Sequence, residues 1–122
     1  MAVTYTTTVK NARLDAVVTA IGSTGVIEIG TSGMAAILAT ITLNASAGTA
    51  SGGVLTLSGF PKSDIADGTG TAAAARIRTA TGGTDIVTGL TVGTSASDIN
   101  LDSVTITTGE LITLTAATIT HA

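Results

Sequence analysis

The sequence predicts a mainly β fold, a β-sandwich or jelly-roll-like domain with about eight short strands and one short N-terminal helix. Three observations lead there. Threonine occurs 26 times in 122 residues, and β-branched side chains suit a pleated, half-buried surface better than a helix interior. Short runs in which Ile, Val and Leu alternate with Thr and Ala are divided by glycine-rich turns, the rhythm of an all-β chain. Helical spacing of apolar residues occurs once, between Asn11 and Ile21.

Taken in order, residues 3–9 are β-favouring throughout and predict a first strand. The period then changes: Leu14, Val17, Val18 and Ile21 fall at i, i+3, i+4 and i+7 and make one apolar stripe of a helix. Asn11 suits the N-cap, Asp15 the positive end of the dipole, and Gly22 a positive-φ exit. Strands are expected at Val26 to Ile29 and, with clear alternation, at Ile37 to Leu43. Residues 44–53 are small and polar and predict a flexible loop. A strand resumes at Val54 to Leu57, and Gly59, Phe60 and Pro61 open a polar loop through Gly70, with Pro61 ending the ladder because it has no N–H to give. Thr71 to Thr79, Ile86 to Val92, Ile99 to Leu101, Val104 to Ile106 and the run from Leu111 supply the remaining strands. In the last of these the apolar parity shifts, which predicts a bulge near Ala116 and Ala117.

Length and even composition favour a single β domain over residues 1–122. Tyr5 and Phe60 are the only aromatic residues, so a core of Ala, Val, Ile, Leu and Thr buries less area per position and gains from subunit contacts. Five basic and eight acidic side chains give a net charge of −3, which disfavours nucleic acid as a partner. No cysteine is present, so neither disulfide nor thiolate chemistry is available. The apolar residues of the stretch 14–29 are interrupted by Asp15, Glu28 and glycines well short of the roughly 20 that a membrane span needs. No membrane partner and no secretory signal are expected, since Lys10, Arg13 and Asp15 follow a threonine run rather than precede an unbroken apolar one.

Candidate chemistry is sparse. His121 is the sole histidine and stands next to the C-terminus, where a general base lacks neighbours to orient it. Asp64 with Asp67, and Asp98 with Asp102, are carboxylate pairs that can in principle serve acid–base work or calcium, but they lack EF-hand spacing and read as surface turns. Glycines at Gly52-Gly53, Gly68 to Gly70 and Gly82-Gly83 lack the Gly-Lys-Ser/Thr of a phosphate loop and read as turn residues. Arg76 and Arg78 share a strand face, either to meet an acidic partner or to guard a solvated edge. No catalytic, cofactor-binding or metal-binding residue is therefore assigned, and an enzyme ranks last among the functions considered. A carbohydrate-binding sandwich ranks low as well, because sugar platforms use aromatic faces.

Two segments add a further reading: Thr4-Tyr5-Thr6-Thr7-Thr8 with Lys10-Asn11-Ala12-Arg13-Leu14-Asp15, and the stretch from Gly89 to Leu101 containing Val92-Gly93-Thr94-Ser95-Ala96-Ser97-Asp98. In these the chain resembles small tailed-bacteriophage virion proteins. The resemblance implies a capsid decoration, or cement, protein located on the capsid exterior after assembly in the bacterial host cytoplasm. Its implied partners are the major capsid protein and copies of itself, as a trimer or dimer; it maps no contact residue, and residues 1–9 are either a contact arm or a strand buried in the chain's own sheet. A tail or baseplate component is the alternative.

Overall fold

In the computed structural model residues 5–120 are described. The helix α1 (Thr7–Ile21) is followed by β1 (Val26–Gly30), a 3-10 turn at Ser32–Met34, β2 (Ile37–Thr42), β3 (Gly48–Ser51), β4 (Val54–Leu57), β5 (Lys62–Ile65) and β6 (Gly70–Thr71). The chain continues through β7 (Ala74–Arg78), β8 (Asp85–Gly93), β9 (Ile99–Leu101), β10 (Thr105–Ile106) and β11 (Leu111–Thr120). The fold is mainly β with one α-helix, as the sequence predicts. Among the described residues its strands number eleven rather than about eight, because the two stretches read as loops also pair and the run from Thr71 to Thr79, expected as one strand, is divided at Ala72 and Ala73 into β6 and β7, which belong to different sheets.

The first of these corrections is at residues 44–53. Gly52 and Gly53 have φ of 62° and 78°, and positive φ at both central positions is what a two-residue type I′ hairpin turn requires. Ser51 is thus brought opposite Val54, and β3 pairs with β4 along its length. The second is the polar loop after Pro61. The β4 ladder does end at Leu57, but β5 begins directly after Pro61 and pairs with the first half of β11.

A third correction concerns the N-terminus. Residues 7–9, read as strand, form the first turn of α1, and residues 3 and 4 lie outside the described residues. Thr6 is the N-cap, its hydroxyl oxygen accepting the Val9 N–H at 3.3 Å. Strand propensity yields here because a cap satisfies an otherwise orphaned donor and the apolar stripe further along fixes the helix. Asn11 is consequently inside the helix, and its Oδ1 accepts the Gly53 N–H at 3.0 Å, tying α1 to the β3–β4 hairpin. Asp15 lies mid-helix rather than at the dipole's positive end. The C-terminal reading stands: Gly22 has φ 76° and its N–H bonds the Val18 carbonyl.

Nine strands form one sheet in the order β2-β1-β7-β8-β9-β11-β4-β3, with β5 also on β11. All neighbours are antiparallel except β8 and β9. β6 and β10 make a separate two-stranded ribbon. The bulge predicted in β11 is present, as a register shift between Leu114 and Ala116 against β9. The sheet curls until edge strand β2 comes up to β5, where the Asp67 N–H, just past β5, donates to the Leu38 carbonyl at 2.7 Å. Inside the curl lie Ile27, Ile29, Ile41, Ile77, Leu55, Ile99, Leu101, Ile112 and Leu114, all essentially excluded from water. Leu14 and Ile21 of α1 belong to the same core. No aromatic ring is fully buried there; Phe60 packs against its side.

Candidate functional site

Charge gathers in one place, on the outer face of β1, β7 and β8. The antiparallel register sets Glu28 opposite Arg76 and Val26 opposite Arg78, and the next pairing sets Arg78 opposite Asp85. Period-two alternation puts both arginines on the face that Glu28 occupies. Glu28 is only 5% exposed. Arg76 Nε donates to Glu28 Oε1 at 2.6 Å, and Arg78 Nη1 stands 3.5 Å from the same oxygen. Arg78 Nη2 donates to the Gly83 carbonyl at 2.5 Å. Its Nε lies 2.8 Å from Asp85 Oδ1, close enough for an ion pair but off-line for a hydrogen bond.

The sequence left Arg76 and Arg78 between two roles, and the structure decides: their strand is interior to the sheet and their acidic partners are within the chain. Glu28 was missed as one of those partners. A single glutamate inside Val26-Ile27-Glu28-Ile29 was the available signal, because a carboxylate in a strand buried on both faces needs a cation. Two positive and two negative charges cancel in this cluster, and what it does chemically is hold three strands in register.

A shallow cleft of ≈ 210 Å³ is lined by Thr40, Ile41 and Thr42 of β2 and by Lys62, Ser63 and Asp64 of β5. It falls short of the roughly 300 Å³ at which small-molecule pockets begin. Ser63 Oγ turns to Thr113 Oγ1 at 2.9 Å, and Lys62 Nζ donates to Asn44 Oδ1 at 2.7 Å. Serine and lysine therefore point to separate partners, and the bond that Ser63 makes among the described residues is to a threonine hydroxyl, not to a base.

The carboxylate pairs do not converge on a shared ligand. Asp98 Oδ2 accepts the Thr91 N–H and the Asp98 N–H returns a bond to Thr91 Oγ1, both at 3.0 Å, pinning the turn between β8 and β9. Asp102 Oδ1 accepts the Thr113 N–H at 3.3 Å. Asp64 lines the cleft, while Asp67 is exposed beyond the end of β5. Among the described residues no group of three or more metal-ligating side chains occurs. Of the glycine clusters, Gly52, Gly53 and Gly82 have the positive φ of turn residues. Gly68 and Gly70 are instead places of close approach, where a Cβ would stand 3.2 Å from the Ile37 carbonyl oxygen and 3.1 Å from Thr31 Cγ2. His121 lies outside the described residues. No described helix is long and apolar enough to cross a membrane.

Comparison with known protein families, with curated proteins and with solved structures finds no match for this chain.

Proposed function

We propose that the chain is a structural protein of a bacteriophage virion, a capsid decoration protein that binds the outside of the major capsid shell and stabilises it. The observation that carries the reading is how the charged side chains are used. Glu28, Arg76, Arg78 and Asp85 hold the sheet together, and Asp98 and Asp102 hold backbone N–H groups at turns. What the molecule offers to a partner is shape, exposed apolar side chains at the start of α1 and at a corner of the sheet, and the charges of Lys10, Arg13, Asp67 and Glu110, which lie in no ion pair among the described residues. A decoration protein needs no more than that, because symmetry repeats each contact many times and modest affinities accumulate as avidity. The stretch from Val92 to Asp98, part of one of the two segments that carry the resemblance, closes β8 and forms the turn to β9 that Asp98 pins to Thr91. A net charge of −3 also suits a place outside a DNA-filled shell better than one facing the packaged DNA.

The protein acts in this reading as a ligand for the assembled state. Whatever binds the assembled shell and not its dispersed subunits stabilises the shell by mass action. Purified protein added to shells that lack it is expected to bind and to raise their resistance to heat and dilution. Images of the complete particle are expected to show its density on the capsid exterior. Density confined to the tail, with bare shells equally robust, would assign the chain to the tail instead.

A further inference from the structure

The large apolar side chains that the described surface exposes fall in two places. One is a corner of the sheet, where Ile65 of β5 and Leu111 of β11 are cross-strand partners, 52% and 57% exposed. The other is the start of α1, where Val9 is 42% exposed and Arg13, one helical turn later, lies 4.6 Å from the ring centroid of Tyr5. Paired apolar residues in contact with water on a small protein mark contact surfaces more than isolated ones do.

Their surroundings differ in charge. Asp67, Glu110 and Asp102 flank the sheet corner, all exposed, the last with its carboxylate on the Thr113 N–H two residues along β11 from Leu111. The helix start carries Lys10 and Arg13, neither of them in an ion pair among the described residues. The remaining cations are committed elsewhere, Arg76 and Arg78 to Glu28 and Asp85, and Lys62 to Asn44. With Asp15 counted, the helix start has a net charge of +1 and the sheet corner −3. One molecule cannot bring its own two surfaces together. α1 packs on β3 and β4, and β4 joins the far end of β11 from Leu111, roughly 25–30 Å away at the rise of a strand.

We infer that the Val9 surface of α1 docks on the Ile65–Leu111 corner of a second copy of this chain, so that copies associate head to tail. Two different surfaces meet in such a contact, so it leaves one of each unfilled in every pair and builds either a closed ring or a chain. Opposite charge around two apolar centres steers the encounter and fixes its orientation. The inference rests on the self-association within the proposed function and not on binding to a capsid.

The test follows from the two surfaces being different. Sedimentation of the wild-type protein is expected to show species larger than a monomer by about 100 μM, weakening as salt screens the charges. Val9→Asp and Leu111→Asp are each expected to sediment as monomers with the circular dichroism of the wild type. Mixed one to one, they retain one intact surface of each kind and are expected to form a dimer that grows no further. If either variant fails to fold, Arg13→Glu and Glu110→Lys, at exposed positions, take their places in the same mixing experiment. A wild type monomeric at every concentration, single variants that associate like the wild type, or a mixture that stays monomeric would each overturn the inference. Shell binding by such a monomer would leave the proposed function standing, whereas head-to-tail association without shell binding would remove that function and keep the inference.

Discussion

Glu28 is held by two guanidinium groups in a strand buried on both faces, and that sets what its loss should cost. Removing the carboxylate leaves Arg76 and Arg78 side by side with only Asp85 to balance them, and like charges repel where water is scarce. Breaking a fully buried pair costs about 3–5 kcal/mol; with Arg76 and Arg78 at 24% and 20% side-chain exposure, about 2–3 kcal/mol is the expectation for Glu28→Ala. Asp85, 42% exposed, is screened by solvent, and Asp85→Ala is expected to cost under about 1 kcal/mol. Urea denaturation of the two variants checks the order; equal midpoints would mean that Glu28 is not the hub of the cluster. At Gly52, where a Cβ would meet open space, the only penalty on Gly52→Ala is its φ of 62°. About 1 kcal/mol is expected from the same measurement.

At the scale of elements, α1 separates two accounts of its own start. If Thr6 is the cap, Thr6→Ala loses the bond to the Val9 N–H and costs about 1 kcal/mol. Asn11→Ala loses the bond to the Gly53 N–H instead, and alanine's better helix propensity offsets roughly half of that loss. Thermal unfolding is expected to show the Thr6→Ala loss; a Thr6→Ala variant as stable as the wild type would mean that Thr6 does not cap α1. The sequence made the helix legible because Leu14, Val17, Val18 and Ile21 write its period plainly. Its beginning was hidden, because Thr6-Thr7-Thr8-Val9 has strand propensity and a cap outweighs propensity only in a context the residues themselves do not state. β3 and β5 were hidden for a related reason: Gly48 to Ser51 and Lys62 to Ile65 have weak alternation and are strands because β4 and β11 lie beside them. The charged cluster was half legible. Arg76 and Arg78 announce a shared face by their spacing, but Glu28 stands 48 residues before Arg76, and only the register of β1 against β7 joins them.

The molecule as a whole is a curled sheet that nearly closes, and the gap has a backbone signature. Leu43 N–H bonds to the Gly25 carbonyl, and antiparallel pairing alternates, so Ala39, Ile41 and Leu43 aim their N–H groups at β1. Leu38, Thr40 and Thr42 aim theirs the other way, toward β5, where the Asp67 to Leu38 bond is made and the cleft follows. In that register Thr40 would face Ile65 and Thr42 would face Ser63, but β2 and β5 do not continue the ladder there. The cleft is thus a seam between two strand edges, opened to solvent at Thr40 and Thr42. Amide groups in a paired ladder exchange with solvent only when the ladder opens, whereas unpaired ones at an edge exchange with the folded protein intact. Hydrogen exchange followed by NMR is expected to alternate along β2, with Ala39, Ile41 and Leu43 protected up to the stability of the core and Thr40 and Thr42 exchanging orders of magnitude faster. Uniform protection along the strand would mean that the sheet closes through β5 into a barrel and that the seam does not exist in solution.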